Sequence, residues 1–184
     1  MKNRIYASVL AFAFVVAGSA FGAAASTSTS PQCESVFGGT AGGASQTGGG
    51  FDFGQGKWAF GANAAYHHLF MDPIQLGGKV NVNFANNGTA TGNMIGLLVG
   101  PTFNFMNAVS GDISDAMFLF VGAGFAMVKP AGGTSNTDFQ FGAELGKRMK
   151  VWDNISYRPS FGFTKVGSGQ VAFNVNLLNV SILY

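Results

Sequence analysis

Read backwards from the carboxyl terminus, apolar and polar side chains alternate with a period of two. Tyr184, Ile182, Val180 and Leu178 are apolar, and Ser181 and Asn179 fall between them, the pattern of a strand with two unlike faces. Residues 155–165 repeat the pattern, with Ile155, Tyr157, Pro159, Phe161 and Phe163 opposite Ser156, Arg158, Ser160, Gly162 and Thr164. Residues 138–149 set Phe139, Phe141, Ala143 and Leu145 against Gln140, Gly142, Glu144, Gly146 and Arg148. Further strands are predicted at 115–128, 93–105, 78–85 and 57–67, the last with Trp58, Phe60, Ala62, Ala64 and Tyr66 facing away from Gly61, Asn63 and His67. Most of these are close to the ~9–11 residues that a tilted strand needs to cross a bilayer.

With the closing strand at 170–184, this makes seven strands. Single-chain bacterial barrels close with an even number, so an eighth is expected from residues 26–55, at Ser35-Val36-Phe37 or at Phe51-Asp52-Phe53. Within 170–184, Val171, Phe173, Val175 and Leu177 have the opposite parity to Leu178 and its successors. A β-bulge near Leu177-Leu178 is predicted, because one extra residue shifts the register by one. The connections alternate in character. Residues 86–92, 129–137 and 166–169 are rich in Gly, Asn, Thr and Ser and are expected outside the cell, whereas 70–77, 106–114 and 150–154 carry Asp and are expected as periplasmic turns.

The glycines decide which face looks inward. Gly142, Gly146 and Gly162 share the polar face, where a narrow eight-stranded lumen has little room, and a water-facing surface would more often carry Lys and Glu. The bulky rows are therefore expected to face lipid, with Trp58, Tyr66, Trp152, Tyr157, Phe161 and Phe163 forming belt and girdle. Inside, Glu144 and Arg158 are placed as cross-strand or diagonal neighbours of a hairpin centred near Val151 and are expected to form a salt bridge that Arg148 joins. An ion-selective constriction built from the same charges is the functional alternative. Asn63, Lys79, Asn81 and Asn83 are expected to line the interior. Residues 116–127 are apolar on both faces, so Phe118 and Phe120 either plug the lumen or meet another subunit. Gly100, Gly122, Ala123 and Gly124 permit the close approach an oligomer needs.

Composition agrees. Only 10% of residues are charged and 47% are hydrophobic, yet no stretch past residue 25 is long and apolar enough for a membrane helix. Residues 1–25 read as a cleaved signal peptide: Lys2 and Arg4, an apolar run over 5–17, and Ala23-Ala24-Ala25 before Ser26. Its removal takes two of ten Lys and Arg, leaving eight against eight Asp and Glu. A neutral chain without basic runs argues against nucleic-acid partners. Residues 26–50 form a Gly/Ser/Thr-rich N-terminal segment. The lone cysteine, Cys33, rules out an intrachain disulfide and reads as an unpaired thiol in a loose N-terminal stretch, or else as an intersubunit bridge.

No catalytic set is visible. His67 and His68 are adjacent, so a strand points them to opposite faces, and neither a metal site nor a cofactor cradle is predicted. No enzyme is expected.

The alternating strands, short turns and terminal aromatic resemble the small Gram-negative outer-membrane β-barrels of the OmpA-domain and OmpX type, over residues 51–184. The resemblance implies an all-β, antiparallel transmembrane barrel of about eight strands in the bacterial outer membrane. It also implies insertion by the barrel-assembly machinery, which recognises the closing strand with Leu178, Val180, Ile182 and Tyr184. It names no substrate. Three functions stay open, in this order: a structural or lipid-organising protein in contact with outer-membrane lipids and working alone or as a homo-oligomer, a narrow porin-like channel, and a loop-based adhesin.

Overall fold

The computed structural model describes residues 33–41, 57–87, 90–105, 112–169 and 171–184, and the expected signal peptide and Phe51-Asp52-Phe53 lie outside them. The elements are β1 (Cys33–Ala41), β2 (Lys57–Met71), β3 (Ile74–Asn87), β4 (Thr91–Phe105), β5 (Met117–Lys129), β6 (Asn136–Lys147), β7 (Met149–Trp152), β8 (Ile155–Tyr157), β9 (Ser160–Val166), β10 (Val171–Asn176) and β11 (Val180–Leu183). All pairings are antiparallel. Three barrel strands are interrupted, at Arg148, at Arg158-Pro159 and at 177–179, so the eleven segments make eight staves. β1 pairs with both β2 and β11, which shuts the ring: Ser35 lies opposite Tyr66 on one side and Ile182 on the other.

The first strand is thus the one containing Ser35-Val36-Phe37, and it falls inside the stretch read as an N-terminal tail. Cys33 opens β1, with its amide donating to Tyr184 O at 2.7 Å, and is not in a loose stretch. A second correction concerns 70–77, expected as a turn. β2 runs on to Met71 and β3 begins at Ile74, leaving Asp72-Pro73 as the connection. Gly77, placed at the end of that turn, lies inside β3. A Cβ there would stand 2.1 Å from Tyr66 O and 2.5 Å from His67 Nδ1, so glycine admits the neighbouring strand and its imidazole. β2, β3 and β4 consequently reach 15, 14 and 15 residues, more than the hydrocarbon core requires.

The bulge expected in the closing strand is present. Asn176 and Asn179 are both buried, and the two residues between them, Leu177 and Leu178, are both exposed. Polar-in, apolar-out alternation holds over most of the sheet, with Phe118 and Phe120 of β5 among the apolar side chains that turn inward. Phe139, Phe141, Leu145, Phe161 and Phe173 face outward and are exposed, while Gln140, Gly142, Glu144 and Gly162 are buried. This inverts the side-chain order of a water-soluble barrel. Residues 112–116 do not form a simple turn. Ile113 and Ala116 are fully buried and pack with Leu183, and Ser156 Oγ donates to Ser114 O at 2.8 Å, so this stretch folds across one end of the lumen.

Candidate functional site

The lumen is spanned by charged and aromatic side chains. Arg148 sits at the break between β6 and β7, where its amide donates to Ala116 O at 3.0 Å and its side chain turns inward. Its Nε and Nη2 donate to Glu34 Oε1 and Oε2 at 2.7 and 2.6 Å, a two-pronged pair. Two further guanidinium hydrogens are taken up by side-chain amides. Nη1 donates to Asn104 Oδ1 at 2.8 Å and Nη2 to Gln75 Oε1 at 3.0 Å. Ser181 Oγ, from β11, donates to Glu34 Oε1 at 2.7 Å. Five staves are tied through one carboxylate and one guanidinium before the second arginine is counted.

Arg158, at the break between β8 and β9, bridges the two halves of this network. Its Nε lies 3.5 Å from Glu34 Oε1, and its Nη1 donates to Glu144 Oε1 at 3.3 Å. Lys79 Nζ closes the chain on Glu144 Oε2. Phe118 lies beneath both guanidinium groups, 3.7 Å from Arg158 and 4.9 Å from Arg148 measured to the ring centroid. Its Cζ would be 2.6 Å from a Cβ at Gly146, so a side chain at that position would collide with the ring. Phe120 stacks edge-on with His67 at 5.6 Å, and His67 Nδ1 lies 3.2 Å from Thr102 Oγ1. Between Lys79, Leu98, Phe120 and Glu144 a void of about 10 Å³ remains. That is about the least that holds one water molecule.

The expected Glu144–Arg158 contact is therefore present, but not as ladder neighbours. Glu144 lies opposite Gly162 and Met149 opposite Tyr157, which centres the hairpin on Asp153 rather than Val151, because β7 and β8 lengthen it. Arg148 does not join Glu144. It is held by Glu34, which sequence reading missed because it lay in the supposed tail. Asn63 is buried and donates from Nδ2 to Asn179 Oδ1 at 3.3 Å. Lys79 is engaged with Glu144, Asn81 converges with Gln140 over Gly96, and Asn83 is half-buried. Gln75 and Asn104 were also missed, although each occupies the polar parity of its strand, while Gln140 is buried on the polar face to which the alternation assigned it.

On the outer surface, Trp152 stands exposed at the β7–β8 hairpin, and Tyr157, Tyr66 and Tyr184 are half-buried. Trp58 takes its register opposite Asn86. Phe161 and Phe163 lie opposite Leu145 and Ala143, in mid-belt rather than at its edge. Leu178 and Val180 are exposed, and Ile182 is half-buried. His68 faces away from His67, with Nδ1 3.2 Å from Cys33 Sγ, and Tyr66 Oη is 3.3 Å from the same sulfur. Among the described residues no group of three or more His, Cys, Asp or Glu could hold a metal ion.

No protein-family model matches the chain, and no curated protein does. Solved structures do. Ail, the attachment invasion locus protein of Yersinia pestis, is 13% identical, with 85% of this chain and 100% of that one covered and a TM-score of 0.56. Neisserial surface protein A is 12% identical, with 83% and 95% covered and a TM-score of 0.53. The N-terminal β-barrel domain of Pseudomonas aeruginosa OprF is 10% identical, with 85% and 100% covered and a TM-score of 0.52. At such identities the likeness is one of fold, and the fold is that of small Gram-negative outer-membrane β-barrels.

Proposed function

We propose that this chain is an integral outer-membrane barrel with a structural, lipid-organising role, non-enzymatic and closed to solutes. The observation that carries the reading is the filled lumen: Glu34, Arg148, Arg158, Glu144 and Lys79 are joined across it, with Phe118 and Phe120 packed against them. A water-filled pore leaves such charges hydrated. Here Glu34, Arg148 and Arg158 are essentially inaccessible to solvent, and an eight-stranded lumen is only wide enough to be filled by side chains. What remains available for work is the outside. The exposed belt of Phe, Leu and Val suits contact with acyl chains.

Leu178, Val180, Ile182 and Tyr184 serve in this reading as the insertion signal met by the barrel-assembly machinery, since they form the outward row of the strand that closes the ring. The small, outward-facing Ala123 on β5 leaves a homo-oligomer as a further arrangement of the same structural role.

The experiment is reconstitution of purified protein into planar lipid bilayers. A silent bilayer, with the protein shown to be inserted by protease protection, is the expected result. Discrete conductance steps whose ion preference changes with Lys79→Gln would replace this reading with the narrow channel lined by Asn63, Lys79, Asn81 and Asn83.

A further inference from the structure

The apolar belt carries a depression. On the outer face of β4, β5, β6 and β9 an apolar groove of about 330 Å³ passes over Gly100, Ala123 and Ala143 between walls that include Val121, Phe141 and Phe163. Its floor is low for a structural reason. The β4–β5 ladder pairs Val99 with Ala123 and Thr102 with Phe120, and no pairing joins Gly100-Pro101 to Val121-Gly122 between them. A Cβ on Gly100 would stand 2.0 Å from Val121 O, so no side chain can fill the dip from there.

A cation stands at one end of this groove. Lys165 lies on the same outer face as Phe163, two residues nearer the β9–β10 turn, and is paired in register with Phe141, the opposite wall. Lys165 has no hydrogen-bond or ion-pair partner among the described residues. Lys129, exposed at the end of β5, adds a second outward cation at this rim, while Asp138 alternates with outward Phe139 and so points towards the lumen mouth. At the other rim the lysines are matched with acids, Lys147 to Asp115 and Lys150 to Asp153, both at 3.7 Å.

We infer that the groove and Lys165 form a binding site for an anionic lipid, with one acyl chain lying in the groove and the headgroup phosphate on the Lys165 ammonium. The inference rests on the lipid-organising reading above and gives it a location. Charge complementarity selects the occupant. A two-fold second copy docked on this face would bring two uncompensated ammonium groups into hydrocarbon, whereas a phosphate neutralises the one already there. A lysine stem laid along apolar surface with its head at the headgroup level is the arrangement such a site needs.

The test uses the full barrel in nanodiscs of equal parts phosphatidylcholine and phosphatidylglycerol, extracted into mild detergent and weighed by native mass spectrometry. Wild type is expected to retain phosphatidylglycerol in preference. Lys165→Gln should cut that preference about fivefold, the worth of one lysine near an anionic surface. Ala143→Phe, which fills the groove, should release both lipids, and Ala123→Leu serves if that variant fails to show the heat-modifiable gel shift of a folded barrel. Lys150→Gln at the opposite rim should change nothing. Unchanged retention in Lys165→Gln, or a lipid-free dimer in wild type, would overturn the proposal. Conductance with lipid retained would strike only the closed-lumen reading, and a silent barrel that releases its lipid would strike only this one.

Discussion

Replacing Glu34 by alanine should be the most damaging single change inside this barrel. The carboxylate is inaccessible to solvent, accepts two bonds from Arg148 and one from Ser181, and lies 3.5 Å from Arg158. Its removal leaves two guanidinium groups in a closed lumen, with only Glu144 to balance Arg158 and no carboxylate against Arg148. Breaking one side of a buried pair costs about 3–5 kcal/mol, because the surviving charge stays desolvated. At about 1.36 kcal/mol per decade, that is roughly two to four orders of magnitude in the folding equilibrium. The assay is guanidinium-induced unfolding in lipid vesicles, followed by tryptophan fluorescence and by the gel shift of the folded form. Lys150→Ala is the reference, since its partner Asp153 is fully exposed and such surface pairs contribute at most about 1 kcal/mol. Glu34→Gln combined with Arg148→Met should recover most of the loss, because the pair is then removed together. If Glu34→Ala unfolds at the same denaturant concentration as Lys150→Ala, the network is not what holds the barrel together.

Three further outcomes follow from the same geometry. Phe118→Ala removes a fully buried ring from under both arginines and should destabilise the barrel by about 3–5 kcal/mol, measured by the same unfolding series. A charge placed on the belt should cost according to depth: Phe161→Arg at mid-strand about 2–4 kcal/mol, and Val151→Arg beside the β7–β8 turn about 1 kcal/mol or less, compared by vesicle refolding yields. Deleting residues 180–184 unpairs β1 and β8 together, so the truncated chain should give no heat-modifiable band in detergent.

Much of the architecture was legible because lipid and lumen impose opposite demands on successive side chains. The strong rows, Phe139 to Leu145 and Tyr157 to Phe163, declared both strand and facing, and even the Leu177-Leu178 irregularity was visible as a change of parity. What stayed hidden were features that period-two reading does not weigh. Glu34 sits in Cys33–Ala41, where Ser35-Val36-Phe37 was one of two candidates for the eighth strand, but the tail of Gly39, Thr40 and Ala41 left the alternation too short to single out the glutamate beside them. Gly77 fell in the Asp-bearing span expected as a turn and lies within β3, where its missing side chain admits the neighbouring strand. The Glu144–Arg158 contact was anticipated from a wrong register and still occurs, because a long arginine side chain spans the discrepancy. The meeting of Arg148 with Glu34 joins positions 114 residues apart, and local alternation carries no information on that scale.

The seam between β1 and β11 has a kinetic meaning. Its ladder joins Glu34 to Leu183 and Phe37 to Val180, nearly the two extremes of the described chain. Contacts so remote in sequence are entropically the last to become favourable. Until Val180–Leu183 meet β1, the other staves form a sheet with two raw margins, so the ring is zipped shut in a single late event.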